Sequence, residues 1–531
     1  MIKQVYNPFL PLNEYIPDGE PHVFGDRVYL YGSHDLEGGY TFCMQDYVVY
    51  SAPVDDLSNW RFEGVSYRAD QDPDYPNPRF MYAPDCVRGN DGRYYLFYCM
   101  GGDYGYGGYS GAIKVAVSGS PAGPFEYHGT VHYKDGTVMM KYVCFDPAVI
   151  NDDGVIRVYY GTQYAYEEDL GIDDPKVMEI ETGMFGRTEE EIKSYYPDSI
   201  NGPIMLTLED DMLTVKEEPK HIIPYRVKGT TFEGHPFFEG SSIRKFNGMY
   251  YFIYSSWQNH ELCYATSKFP DRDFVFGGTI VSNGDVGYNG RPEEERLNMT
   301  GTTHGSVENI NGEYYVFFHR LTHKSDYSRQ ACAQKIVMKE DGSIDQVEYT
   351  SCGLNGGPLE GVGSYPAVIC CNLTNGYVPH GCNTVYGYSF PNVTNKGNER
   401  FISEIDEGTL IGYKYFDMKS ISEIGVNLRF LNDDNAVVFD GPIRIDERSA
   451  RDSERLANRV VKTADTNYIE VFTSMDGDPV GRIDLQTCYE WTRFSCSVSI
   501  RDGVYPLFFR FHGPDKVQIR DIFMNNLEDL G

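Results

Sequence analysis

Five short segments each place a carboxylic acid or an imidazole just ahead of a strand-like run: Asp18 in IPDGEP, Asp85 in YAPDC, Asp146 in CFDPAVIND, Glu239 in HPFFEGSS and His304 in TTHGSV. Paired carboxyl groups can divide acid and base work if one stays protonated while the other is ionised. Glu239 follows Phe237 and Phe238 and precedes a run of small residues. Apolar neighbours desolvate a carboxyl and raise its pKa, which suits a general acid. Asp18 lies in a polar run and suits a base. The chain has no Ser/His/Asp order, no phosphate-cradling glycine loop and no zinc ligand set. What remains is chemistry on a neutral, oxygen-rich substrate, of which glycoside hydrolysis by two carboxyl groups is the direct example.

The elements that must position these residues recur. The segments IPDGEPHVFGDRVYLYGSHD, YAPDCVRGNDGRYYLFYCMG, CFDPAVINDDGVIRVYYGTQ, FFEGSSIRKFNGMYYFIYSS and TTHGSVENINGEYYVFFHRL each read as a strand, a turn with Gly, Asp or Asn, and a second strand rich in aromatics. Asp-Gly and Asn-Gly are strong hairpin turns. Further strand-like runs follow four of the five hairpins, and a hairpin plus two strands, repeated, is the pattern of a propeller blade. Five repeats imply five blades, the third lengthened by an insertion over about residues 163–232 with a helix at TEEEIKSYYP. Inner strands of a propeller line its axis, so Asp18, Asp85, Asp146, Glu239 and His304 are expected to converge at one mouth of the channel.

A chain of 531 residues exceeds one ordinary domain, and its 44 Tyr, 30 Phe and 55 Gly lean towards an all-β fold. The net charge of -32 opposes binding to nucleic acid or to an anionic membrane. A neutral oligosaccharide is the expected partner, and the composition leaves a homo-oligomer open. The opening MIKQVYNPFLPLNEY lacks an apolar signal region, and no run of 18 or more apolar residues occurs. With 12 scattered cysteines and no CxxC spacing, a reduced, cytoplasmic setting is expected. The Asn-x-Ser/Thr sites at Asn298, Asn372 and Asn392 then carry no glycan.

The ordered motifs NPFLP with IPDGEP, LSNW, YAPD, FDPAVINDDG, FFEGS and THGSV resemble the family 43 glycoside hydrolases, over roughly residues 5 to 350. That resemblance implies a five-bladed propeller acting on β-xylosides and α-L-arabinofuranosides by inversion. It implies Asp18 as general base, Asp146 as the carboxylate that orients and tunes the acid, and Glu239 as the acid. His304 matches an axial histidine that would bond a water or a Ca²⁺ ion in the channel, or be a plain satisfied histidine; no redox or organic cofactor is required. Arg329 would hold a substrate hydroxyl or a carboxylate through its fork of donors. Tyr82 stands where the family more often has Trp, and either stacks on sugar or packs the blade. Asp85 is read as a sugar-hydroxyl acceptor, and Trp257 as a sugar platform or a core residue.

The propeller is expected over residues 1–355, a connecting region over 356–398 and a β-sandwich over 399–531. The last resembles family 6 carbohydrate-binding modules through IGYKYFDM, GRIDL with YEWTRFSCSV, and PLFFRFHG with IRDIFM; its Trp491 is expected in the core. The leading expectation is an exo-acting β-xylosidase, with α-L-arabinofuranosidase second. A fructosidase would carry Asn-Asp-Pro-Asn-Gly, Arg-Asp-Pro and Glu-Cys signatures, which are missing. A non-catalytic sugar-binding propeller is the rival outside enzymology, and the intact acid set argues against it.

Overall fold

The structure is a computed structural model that describes residues 4–526 apart from 103–110, most of 163–187, 196–201, 382–383, 439–446 and 458–460. Its first part is five antiparallel sheets in chain order. Blade one comprises Glu20–Phe24, Arg27–Tyr31, Tyr47–Pro53 and Arg61–Tyr67, and blade two Phe80–Arg88, Tyr94–Gly101, Lys114–Ser118 and Glu126–Thr130. Blade four comprises Phe237–Phe246, Met249–Ser256, Glu261–Ser267 and Val275–Ser282, and blade five Ser306–Ile310, Glu313–Thr322 and Ser325–Ile336. Each innermost strand touches the next, and the fifth touches the first, so the sheets close into a ring around an axis. The Asp-Gly and Asn-Gly turns fall where the pattern places them, with Asp153, Asn247 and Asn311 in the left-handed region and Gly following.

Blade three departs from expectation. Its inner pair, Ala148–Asp152 and Val155–Tyr160, is completed by Ile204–Leu208 and Val215–His221. The insertion expected to reach residue 232 therefore ends before Ile204. The fully buried IMLTL segment carries no alternation, and VKEEPKH is an edge strand whose charges hide its period. The helix Glu189–Tyr195 is present, started by a reciprocal cap in which Thr188 N–H donates to Glu191 and Glu191 N–H donates to Thr188 Oγ1.

The N-terminal segment completes the ring. Phe9 N–H donates to Ala331 O at 3.3 Å, and fully buried Asn7 bonds the last blade through its side chain. Asn7 Nδ2 donates to Ala333 O (2.8 Å) and Thr350 O (2.9 Å), while its Oδ1 accepts from Ala333 N–H (3.0 Å).

The second part is two six-stranded sheets face to face around a core that includes Ile424, Val426, Leu507 and Ile522. The region expected to connect the two parts is woven into these sheets. Gly363–Pro366 pairs with Val517–Asn526, Asn372–Thr374 with Leu410–Met418, and Asn392–Lys396 with Glu399–Ile405. Its strands are two to five residues long and cannot be read by period. Trp491, expected in the core, is half-buried; its indole lies 5.6 Å from the Phe401 ring and 4.1 Å from the Arg429 guanidinium. Among the described residues the cysteines are free thiols, the adjacent Cys370 and Cys371 included. Among the described residues no helix is long and apolar enough to cross a membrane.

Replacing Asn7 with Ala leaves buried backbone groups of the last blade unpaired, at about 1–3 kcal/mol for each. The expected outcome is a clearly lowered melting temperature; an unchanged one would mean that the ring closes without this side chain.

Candidate active site

Asp18, Asp146, Glu239 and His304 meet at the axial mouth. His304 Nδ1 lies 3.8 Å from Asp18 Oδ1 and 3.8 Å from Asp146 Oδ2, and Asp146 Oδ2 accepts the Gly240 N–H at 3.1 Å. The backbone turns sharply here: Asp18 and Asp146 take φ of 58° and 45°, conformations that strain a residue bearing a Cβ. Gly240 takes φ of 72°, and a Cβ there would sit 3.0 Å from His304 Cγ, so both conformation and space demand glycine beside Glu239. Functional geometry is thus set by backbone kinks at the head of the inner strands.

Arg329, on blade five, donates from Nη1 to Asp18 Oδ1 (2.8 Å) and grips Asp35 from Nε (2.8 Å) and Nη2 (3.0 Å). Its guanidinium rests 4.6 Å from the centre of the Phe42 ring. The carboxylates it holds belong to the protein. Asp35 was not singled out from the sequence; the acid in YGSHD just after the first hairpin is the signal that marks it. His319 was also missed, because it lies inside a strand otherwise read as core. It is fully buried, its Nε2 donates to Thr302 O (2.9 Å), and its Nδ1 accepts the Asp18 N–H (3.4 Å).

These contacts separate the acids. Burial works to raise the Asp18 pKa, but chiefly the charge of Arg329 outweighs it, and the carboxyl is held below its ordinary range. Burial, then repulsion from Asp18, pushes Glu239 up to about 8. Burial together with the charges of Glu239 and Asp18 also drives Asp146 well upward. Glu239 is half-buried where Asp18 and Asp146 are buried, so it faces the mouth while the atoms packed around its carboxyl still desolvate it. Burial keeps His304 neutral, its pKa lowered, and burial with Arg329 takes His319 down to about 3.

Two residues fall elsewhere. Asp85 lies deeper in the channel with every carboxylate oxygen engaged: His22 Nε2 at 2.6 Å and Cys86 N–H at 2.8 Å on Oδ1, and Val149 N–H at 2.7 Å on Oδ2. It ties blade two to blades one and three, so the expected hydroxyl acceptor is a structural ligand of the backbone. A register irregularity between Tyr82 and Asp85 shifts it from the position its neighbours share. Tyr82 is buried, 5.4 Å from the Phe145 ring, and packs the blade. Trp257 is half-buried against Phe238 at 5.0 Å, beside Glu239.

Comparison with known proteins decides the family. The profile of glycosyl hydrolases family 43 matches residues 7–344. The chain belongs to that family. As a family 43 protein it is a glycoside hydrolase, and its similarity reaches past the propeller. A xylosidase/arabinosidase of Thermoclostridium stercorarium is 39% identical over 98% of this chain and 98% of that protein. A β-xylosidase of Xylanibacter ruminicola is 27% identical over 63% of this chain and 98% of that protein. Among solved structures, a β-xylosidase/α-arabinofuranosidase from a compost microbial metagenome, in complex with xylotriose and calcium-free, is 26% identical with a TM-score of 0.47, covering 64% of this chain and 96% of that one.

Among the described residues no ligand group forms around His304 for the Ca²⁺ expected through it; the ligand atoms of Glu20, His22 and Asp85, which lie within 4.8 Å of one another, form a group apart from it. His304 Nε2 is buried without a hydrogen-bond partner, which leaves room for one ligand. Ca²⁺ takes six to eight oxygens. Asp18 is held by Arg329 and Asp146 by Gly240, while deeper in the channel Glu20 is held by Arg244 and Asp85 by His22.

Arg329→Met is expected to raise the Asp18 pKa, read as an upward move of the acid limb of the activity–pH profile by about one unit or more. An unmoved limb would mean that Arg329 does not set the ionised state of Asp18.

Proposed function

We propose that this chain is an inverting, exo-acting β-xylosidase, with α-L-arabinofuranoside cleavage as a second activity of the same site. One arrangement carries the reading: Asp18 is ion-paired with Arg329 at 2.8 Å, while burial and the neighbouring Asp18 push Glu239 up to about 8, so that one carboxyl favours the ionised and the other the protonated form. Inverting hydrolysis needs those two states at once. The names of the relatives, xylosidase/arabinosidase and β-xylosidase, support a pentoside as substrate.

In the proposed reaction Asp18 takes a proton from water, and the water oxygen bonds the anomeric carbon from the face opposite the leaving group. As the glycosidic C–O bond breaks, Glu239 passes its proton to the departing oxygen. Exchange with solvent then returns Asp18 to its ionised and Glu239 to its protonated form. Asp146 holds the Gly240 N–H and so orients the acid. His304 and Arg329 fix Asp18 in place. Trp257 with Phe238 offers an apolar face beside the acid on which a sugar ring can lie. Recessed acids at the end of an axial channel favour a chain end over a chain interior. A neutral oligosaccharide suits a chain of net charge -32.

Proton NMR of the protein with an aryl β-D-xylopyranoside, and separately an aryl α-L-arabinofuranoside, should show the pentose appearing first as the inverted anomer, xylose faster than arabinose. Binding with no release from either would move the assignment to a sugar-binding propeller. Glu239→Ala should lose about 10²–10⁴-fold on poor leaving groups and far less on activated aryl glycosides, whereas Asp18→Ala loses both. Equal, mild losses in the two variants would reject these roles. The rate should fall as pH rises through about 8, where Glu239 gives up the proton it must donate; a flat profile to pH 9 would contradict Glu239 as acid.

A further inference from the structure

Below the catalytic mouth the channel holds a second set of charges. Arg244 is buried there, and its Nη2 donates to Glu20 Oε2 at 2.7 Å and to Pro21 O at 2.9 Å. Its Nη1 donates to Ile243 O (2.8 Å), and its Nε lies 3.4 Å from Glu308 Oε2. Asp85, paired with His22 at 2.6 Å, is near enough to feel the same guanidinium. Three carboxylates from blades one, two and five thus surround one arginine from blade four. Burial pushes Glu20 up to about 8, and Arg244 is the neighbour that works against that rise.

The position of Arg244 in the chain gives this arrangement its consequence. It lies on Phe237–Phe246, the strand that opens with the Glu239 segment. Glu20 and Pro21, its partners, open Glu20–Phe24, directly after Asp18. A guanidinium fork presents several donors in fixed directions, so it constrains both distance and angle between the strands it joins. Ser242 Oγ and Ser306 Oγ, 2.7 Å apart, tie the same strand to blade five next to this layer.

We propose that Arg244 is the resident cation of the channel: it locks the Asp18 segment of blade one to the Glu239 strand of blade four and sets the spacing of base and acid without a divalent ion. Arg244 touches no reacting atom and is a positioning residue. The spacing role rests on the assignment of Asp18 and Glu239 as base and acid; the cation role does not.

The test uses the full chain. After dialysis against EDTA, elemental analysis should find no stoichiometric divalent metal, and adding CaCl₂ or MgCl₂ should leave the melting temperature and the kcat on an aryl xyloside unchanged. Stoichiometric metal, or activity lost to EDTA and regained with CaCl₂, would overturn the proposal. Arg244→Met should lose about a hundredfold in kcat with KM little changed, as expected for a small misplacement of reacting groups. Its melting temperature should rise with CaCl₂, because Glu20, Asp85 and Glu308 are left without their cation. Arg244→Lys keeps the charge and should recover part of the kcat. A folded Arg244→Met with wild-type kcat would reject the positioning role. Should it fail to fold, Glu308→Gln removes one partner and should lower kcat severalfold at unchanged KM; an unchanged kcat there would reject the positioning role. If the wild type releases no pentose, the Proposed function fails, while metal content and melting temperature still decide whether Arg244 is the channel cation.

Discussion

The structure depends on placing like charges together out of water. Asp18, Asp146 and Glu239 share one mouth, and burial penalises the ionised form of each. Arg329 resolves the conflict by choosing one of them. Its direct ion pair keeps Asp18 charged, and the charge on Asp18 then helps keep Glu239 protonated. Asp35, fully buried, holds the arginine by two of its nitrogens, so the choice is built into the fold. One ion pair therefore sets the protonation pattern of the whole cluster.

The propeller is suited to this because its inner strands begin close together around an axis. Blades one, three, four and five each contribute one side chain at the mouth, and the backbone kinks at Asp18, Asp146 and Gly240 aim those side chains inward. Strain of this kind persists only where surrounding structure holds it. Ring closure supplies that support: Asn7 fastens the first residues to the last blade, and Arg244 crosses the channel from the Glu239 strand to the segment after Asp18.

The sandwich is joined to the same network. Arg400 grips both oxygens of Glu37 at 2.9 and 2.7 Å, two residues beyond Asp35. Buried Arg320 of blade five donates to the Val368 and Cys370 carbonyls, and Arg296 forms a two-point pair with Asp452 at 2.9 and 3.0 Å. With its early strands drawn from residues that follow the propeller directly, the second domain buttresses the blade that carries Arg329 and His304.

Much of this was legible in the chain itself. Aromatic hairpins with Asp-Gly and Asn-Gly turns announced five blades, because hairpin register and face are local properties of a few residues. Asp18, Asp146, Glu239 and His304 could be named because repetition marks equivalent positions. Asp85 misled, since a register irregularity one turn away moves it off that position, and a bulge leaves no trace in composition. The short strands between residues 359 and 396 were hidden because they have too few residues to show a period, and the end of the blade-three insertion because its fully buried strand does not alternate. Only the tertiary structure could decide which acid is ionised. A pKa follows from burial and from charges within a few ångströms, and Arg329 reaches Asp18 from a position 311 residues away along the chain.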